Sequence, residues 1–500
     1  MNTKALRQKI LDLAIRGKLV PQDPNDEPAE VLLERIRKQK QQMLKEGKLK
    51  KKDIKNDTII FKGEDNLHYE KFQDGTVKCI EDEIPFEVPK GWSWARLRDI
   101  CMMSAGKSKS TVQIKSEPFE GSYPCFGGNG VRGYVDEYNQ DGIFSIVGRQ
   151  GALCGNINIA IGKFYATEHA VVTTLFDGID FKWSNYILEA LRLNNYATGA
   201  AQPGLSVANI LNVFVPVPPT QEQDRIGNNV YESLKIVEAL EKEKIDLQKN
   251  IITAKTKILD LAICGKLVPQ DPNDEPASVL LERIRAEKEE LIKQGKIKRD
   301  KKESVIFKGE DNSYYENLPH NWQVTSLREI TTPLTLNDGD WILSQNMVNI
   351  GEVKLLQLGS IGNMIYLDKG FKYLTIDTFN ELCCTEIFSG YLLINRIIND
   401  KMCCCIVPQI NGKIITTVDT CWIAPTETSY DIKFLMYQLA SPNFQNKVLS
   451  KTSGTTRRRI SKSNLIDLPL FLPPLDEQRR IVEAIEKIFI KLDEIVSQVV

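Results

Sequence analysis

The sequence predicts a mixed α/β (α+β) chain. Two globular units are joined by two long antiparallel coiled-coil helices, in a pseudo-two-fold, circularly permuted repeat. Three observations predict it. Lys9–Arg37, KILDLAIRGKLVPQDPNDEPAEVLLERIR, recurs as Lys257–Arg285 with 27 of 29 positions identical, so the chain carries a duplication at an offset of 248 residues. Shorter copies flank it: Pro89 to Ile100 resembles Pro319 to Ile330, and Asn209 to Ile226 resembles Asn464 to Ile481. Between these markers 104–208 and 331–463 share almost nothing, which gives a repeated scaffold with divergent inserts.

The third observation is a heptad. From Ile226 the positions Val230, Ser233, Val237, Leu240, Lys244, Leu247, Ile251, Ala254, Ile258 and Leu261 alternate steps of four and three. Ile481, Ile485, Ile488, Leu492, Ile495 and Val499 keep the same register. Laid over the central helix, the C-terminal run ends with Val500 near position 245, and the N-terminal copy starts with Met1 near position 249. The spacing therefore predicts that the termini meet and rebuild a second long helix beside the central one. It also predicts five segments: scaffold helices and a basic linker over 1–83, a variable domain over 84–219, and the long helix, second scaffold copy and basic linker over 220–316. A second variable domain follows over 317–474, and a scaffold helix over 475–500.

In the first insert, glycine-rich turns at 127–130, 148–151 and 155 separate strands at Ile143–Val147, Ile157–Ile161 and Ala170–Phe176, with a helix near Trp183–Asn194. The second insert reads alike, with strands at Lys354–Leu358, Tyr391–Ile397 and Cys404–Val407 and a helix near Ile432–Leu439. The prolines Pro218-Pro219 and Pro473-Pro474 read as rigid exits into the next helix. Gln221-Glu222 and Asp476-Glu477 then sit at its positive end.

Composition narrows the function classes. No apolar run is long enough to span a bilayer, and the N-terminus lacks a secretory pattern, so the cytoplasm is expected. Eleven cysteines without a C-x-x-C pair argue against a zinc site and for reduced thiols on half-buried strands. A net charge of −1 excludes a uniformly basic coat, so local clusters matter. Arg35–Lys55 and Arg283–Lys302 read as solvated helix ends. The loop SKTSGTTRRRISKSN has no acid, and its arginines and hydroxyls suit phosphate and base-edge contacts.

Catalytic signatures are missing. His68, His169 and His320 have no neighbours that suggest a triad or metal set. Gly106-Lys107-Ser108 has no upstream phosphate cradle. The Pro-Pro pairs lack the flanking residues of the amino-methyltransferase motif they resemble.

Together the scaffold copies, the P-x-x-W-x-x-x-x-L-x-x-I start of each insert and the PP(T/L)-x-E-Q-x-R-I exit resemble the specificity subunit of type I restriction–modification enzymes. So do Ser453–Ser461 and Gly148-Arg149-x-Gly151. The resemblance implies a non-catalytic subunit with two target-recognition domains, each reading one half of a bipartite site on double-stranded DNA, and with helices that fix the gap. It implies docking of two modification (methyltransferase) subunits and of restriction (translocase/nuclease) subunits, for defence against foreign DNA. S-adenosylmethionine, ATP and Mg would belong to those partners, as would adenine-specific methylation and ATP-dependent cleavage. DNA-binding candidates are Lys107, Lys109, Asn129, Arg132, Arg149 and Gln150 in the first domain. In the second they are Gln357, Arg396, Thr455, Arg457, Arg458 and Arg459. Thr198–Gly204, the first domain's counterpart of the arginine loop, has no basic residue, and its Gln202 suits an adenine edge. Two other classes compete: an enzyme in its own right, which S-adenosylmethionine binding by the isolated chain would reveal, and a scaffold that binds only proteins.

Overall fold

The computed structural model describes residues 2–151, 153–199, 203–300, 318–454 and 457–499. Met1 and Val500, on which the meeting of the termini rests, lie outside the described residues, as do Gln202, Thr455 and the linker 301–317. The chain divides into two compact units, Met1–Lys244 and Ile245–Val500. That division falls where the sequence mapping placed Val500. One helix, Thr220–Ile263, gives its first part to one unit and its last part to the other.

In the first unit the helix Thr3–Ile15 packs Ile10, Leu11 and Ala14 into one core with Ile226, Val230, Leu234 and Val237. Arg7 lies 3.9 Å from Glu238 while Gln22 bonds to Glu222, so the two helices run in opposite directions. The second unit repeats the pairing with the helix Leu475–Val499: Lys255 meets Asp493 at 2.6 Å and Gln270 meets Glu477 at 2.5 Å. The heptad seam is only part of the buried face. Leu234, Leu259 and Ala262 are buried outside it, because near each head the helix also packs against the head, which widens the apolar stripe.

Each scaffold copy ends its first helix on a glycine. Gly17 has φ +63°, and a Cβ there would stand 2.4 Å from Pro89 Cγ; Gly265, at φ +66°, meets Pro319 Cγ at 2.4 Å. The left-handed conformation closes the helix and lets the chain pass under the proline–tryptophan corner. Gly17→Ala should therefore lower the stability of the first unit by about 2 kcal/mol or more, since backbone strain adds to overlap. Thermal unfolding checks this, and an unchanged midpoint would remove the glycine from the account.

The first head is a six-stranded sheet ordered Cys101–Ala105, Ala170–Leu175, Gln140–Gly148, Ile157–Ala166, Tyr123–Gly127, Gly130–Val135. The expected strands are present, and the first two run several residues longer than the apolar runs suggested. The second head splits its strands. Leu336–Asp338, Thr420–Ile423, Leu392–Asn395 and Cys404–Ile406 form one sheet, and Phe371–Leu374, Val353–Leu356 and Lys413–Thr416 another. Each head is closed by a strand pair made from its start and exit motifs: Ser93–Arg96 with Phe214–Val217, and Gln323–Ser326 with Pro469–Leu472. The head helices are Phe181–Ala190 and Ile432–Ala440, capped by Asp180 and Asp431.

Several sequence expectations change. The linker region of the first unit holds a three-stranded sheet, Ile59–Lys62, His68–Lys71 and Val77–Cys79. The basic runs are not wholly solvated. Lys40 and Lys288 are buried, where they donate to the carbonyls of Arg98 and Arg328 at 2.8 and 2.7 Å. Among the cysteines, Cys404 and Cys405 are fully buried on a strand, but Cys383 lies exposed in the turn after the helix Ile376–Glu381 and Cys384 is buried just beyond it, neither on a strand. No helix among the described residues is long and apolar enough to cross a membrane.

Glu222 and Glu477 stand in the first turn of their helices, as the sequence indicates, and both are buried there. Glu222 accepts the Trp92 indole N–H at 3.0 Å and the Gln22 amide at 3.1 Å; Glu477 accepts Trp322 at 3.0 Å and Gln270 at 2.5 Å. The adjacent Gln223 and Gln478 donate to the Pro218 and Pro473 carbonyls and accept the backbone N–H of Asp180 and Asp431. Arg225 and Arg480 pair with Asp26 and Asp274 of the scaffold copies. The Glu-Gln-x-Arg exit therefore locks scaffold to helix on one side and head to helix on the other.

Candidate nucleic-acid interface

The two heads share one main-chain frame despite unrelated side chains. Lys107 N–H donates to Ala166 O at 3.0 Å and Asp340 N–H to Thr416 O at 2.8 Å; Gly106 to Ala170 and Gly339 to Thr420 follow at 3.0 and 2.9 Å. Arg149 N–H donates to His169 O at 3.0 Å, as Arg396 N–H does to Asp419 O at 2.9 Å. The Arg149 and Arg396 carbonyls accept Leu205 and Ile460 N–H at 2.8 and 3.1 Å. Finally, Thr198 pairs reciprocally with Gly204, and Ser453 with Arg459. By these bonds the pair Thr198 and Gly204 and the pair Ser453 and Arg459 take the same place in their heads, as their sequence positions suggested.

Each frame borders a cleft. The first, of about 580 Å³, is lined by Asn129, Arg132, Gln150, Leu153 and His169 between glycine-rich walls. A Cβ on Gly148 would lie 2.0 Å from the Gly128 carbonyl, so only glycine there lets the two walls approach. The second cleft, of about 450 Å³, is lined by Trp341, Leu343, Gln357, Asp419 and Arg459 among others. Phe126 and Leu356 hold the same register against the equivalent Ala166 and Thr416, which makes Gly127 the counterpart of Gln357. The clefts are therefore equivalent in position and different in chemistry.

The structure brings some candidates together and separates others. Asn129 accepts the Asn156 amide at 2.9 Å, while Arg132 and Gln150 are exposed on the first cleft. Arg149 is half-buried and its Nε donates to Leu205 O at 3.2 Å. Lys107 is exposed, but only a 3-10 turn at Thr111–Gln113 follows it and no α-helix, which leaves no P-loop. Lys109 lies over the Tyr165 ring and pairs with Glu137 at 2.7 Å; that hydrogen bond holds its ammonium above the usual lysine value. Here it neutralises an acid rather than standing free.

In the second head Gln357 and Arg459 line the cleft, and Arg457 and Arg459 reach Asp419 at 3.4 and 3.1 Å. Arg458 is exposed and makes no ion pair among the described residues. Arg396 is the correction: it is 4% exposed, 3.1 Å from Asp338, and donates to Val418 O. A guanidinium so enclosed positions the cleft from behind and does not face it. Sequence reasoning missed Trp341, 69% exposed on the rim, and Asp419. A lone aromatic after Asn-Asp-Gly-Asp gives no periodic signal, and Asp419 acquires meaning only beside arginines about forty residues on.

Comparison with known proteins places this architecture. The family described as "Type I restriction modification DNA specificity domain" matches residues 89–256 and 319–499, one region per head. The chain is 25% identical to the EcoEI specificity subunit of Escherichia coli over 99% of its own length and 90% of that protein's. It is 44% identical to the EcoprrI specificity subunit of Escherichia coli over 153 residues, 30% of this chain and 36% of that one. A solved structure described as "Structural basis underlying complex assembly and conformational transition of the type I R-M system" superposes with a TM-score of 0.51. It covers 83% of this chain and 94% of the other at 14% identity, a likeness of fold. The chain belongs to the type I restriction–modification DNA specificity family, whose members are non-catalytic DNA-recognition subunits.

Proposed function

We propose that this chain reads a bipartite DNA site for a type I restriction–modification assembly, each head contacting one half-site through its cleft and the loops of the shared frame. The observation that carries the reading is the family match over two separate regions whose heads keep one backbone frame and change the cleft side chains. A common frame presents two different sequences in the same way, so differences between Asn129, Arg132 and Gln150 and Gln357 and Arg459 become differences in target. The long helix and its antiparallel partners serve as a coiled-coil, pseudo-two-fold spacer, which makes the gap between half-sites a geometric constant. The near-identical scaffold copies offer two modification subunits the same contacts, with restriction subunits joining the full complex in the cytoplasm. S-adenosylmethionine, ATP and Mg act on those partners, which supply methylation and cleavage.

The test is co-expression with a modification subunit followed by mapping of methylated adenines. One motif of two short half-sites with a fixed gap is expected, and replacing 104–208 by another head should change one half alone. Methylation without a two-part motif, or a swap that alters both halves, would turn the reading toward a protein-binding scaffold.

A further inference from the structure

We propose that the second cleft is a reader of a G·C base pair, with Arg459 and Arg457 on the guanine edge and Asp419 taking the cytosine amino group. The proposal rests on the DNA-reading function above. Arg457 and Arg459 are two residues apart and converge on one carboxylate, their Nη2 atoms reaching Asp419 Oδ2 at 3.4 Å and Oδ1 at 3.1 Å. Their side chains are 63% and 40% exposed, and Asp419 21%, so the trio opens toward solvent beside Gln357. Arg458, out of phase between them, has no acid partner among the described residues.

These ion pairs are not needed to close the loop. Its closure is made by the Ser453–Arg459 backbone pair at 3.0 and 2.8 Å and by Ile460 N–H on Arg396 O. Exposed pairs of this kind contribute little stability, so the guanidinium groups exchange partners readily. Arginines intended for phosphate gain nothing from a fixed carboxylate, which repels the phosphate they would bind. An arginine–carboxylate couple instead matches an edge with two acceptors and then a donor. Guanine O6 and N7 beside the cytosine N4 amino group offer that order in the major groove. Asp419 is held for the task, its carbonyl bonded to the N–H of buried Arg396 at 2.9 Å. At the equivalent place the first head has His169, so this couple belongs to the second half-site alone. Arg458 is left for the neighbouring phosphate.

The experiment uses the assembled modification complex and a DNA library randomised across both half-sites, with methylation read by sequencing. Wild type should require G·C at one position of the half-site that a head swap assigns to residues 317–474. Arg459→Lys, which keeps the charge but not the fork, and Asp419→Asn, which keeps the shape, should each reduce discrimination at that position about 10- to 100-fold. The first half-site should be untouched. Uniform loss over all sequences with a smaller salt slope would make Arg459 a phosphate contact and overturn the proposal. So would full discrimination in both variants, or relaxation at an A·T pair. A wild-type complex with no bipartite motif would instead refute the underlying function.

Discussion

Trp92→Ala should cost the first unit about 3–5 kcal/mol, the range for removing a buried tryptophan. Trp322→Ala should cost the second unit a similar amount. Both rings are less than a tenth exposed, and each indole N–H ends on a carboxylate that is itself buried, Glu222 or Glu477. Truncation opens a cavity and also removes one of the two side-chain donors that compensate a buried charge. Burial pushes the Glu222 carboxyl above its ordinary value, against the opposing pull of its hydrogen bonds from Gln22 and Trp92. An acid whose folded-state pKa is raised contributes no penalty below its unfolded value, and its contribution is lost as pH rises through the folded one. Glu222→Gln forfeits the Gln22 contact but has no such titration, so its deficit relative to wild type should shrink from pH 4 to pH 8. Chemical denaturation at several pH values measures this, and a deficit that widens with pH would contradict a penalised carboxylate.

That lock shows where the sequence is legible. The duplication, the long helix, one helix in each head and three strands in each follow from periodicity, turn glycines and self-similarity; the remaining head strands, such as Tyr123–Gly127 and Lys413–Thr416, do not. The Glu-Gln exit looks like helix-dipole chemistry in sequence, since its partner tryptophan lies 130 residues away in one copy and 155 in the other. The small sheet of the first unit was hidden for another reason. Its strands are three or four residues long, so alternation has no room to appear. Two signals were available: Asp74-Gly75 as a hairpin turn, and the heptapeptide IFKGEDN, which occurs at Ile60–Asn66 and again at Ile306–Asn312. The clefts were legible only as an inventory of polar residues. Three segments line the first and four the second, and which side chains face inward depends on a register that no single segment carries.

Arg396 and Arg149 make that dependence measurable, because the backbone places them identically and the side chains do different work. Arg396→Ala should cost about 3 kcal/mol. It removes a buried guanidinium from Asp338 and Val418 and leaves Asp338 without it. The figure sits at the low end for a broken buried pair because the Asp338 side chain is 28% exposed and can be partly rehydrated. Arg149 makes one hydrogen bond to a carbonyl from a half-buried position, so Arg149→Ala should cost about 1 kcal/mol. The consequences for recognition should run the other way round. Loss of Arg396 loosens the strand end behind Asp419 and Arg459, so reading of the second half-site should fail as a whole, with no single base relaxed. Loss of Arg149 leaves Asn129, Arg132 and Gln150 on the first cleft, so discrimination there should weaken only where its own side chain reaches. Unfolding midpoints beside methylation profiles for the two variants decide between these patterns. Equal stability costs, or relaxation at one base in Arg396→Ala, would mean that the buried arginine meets DNA directly.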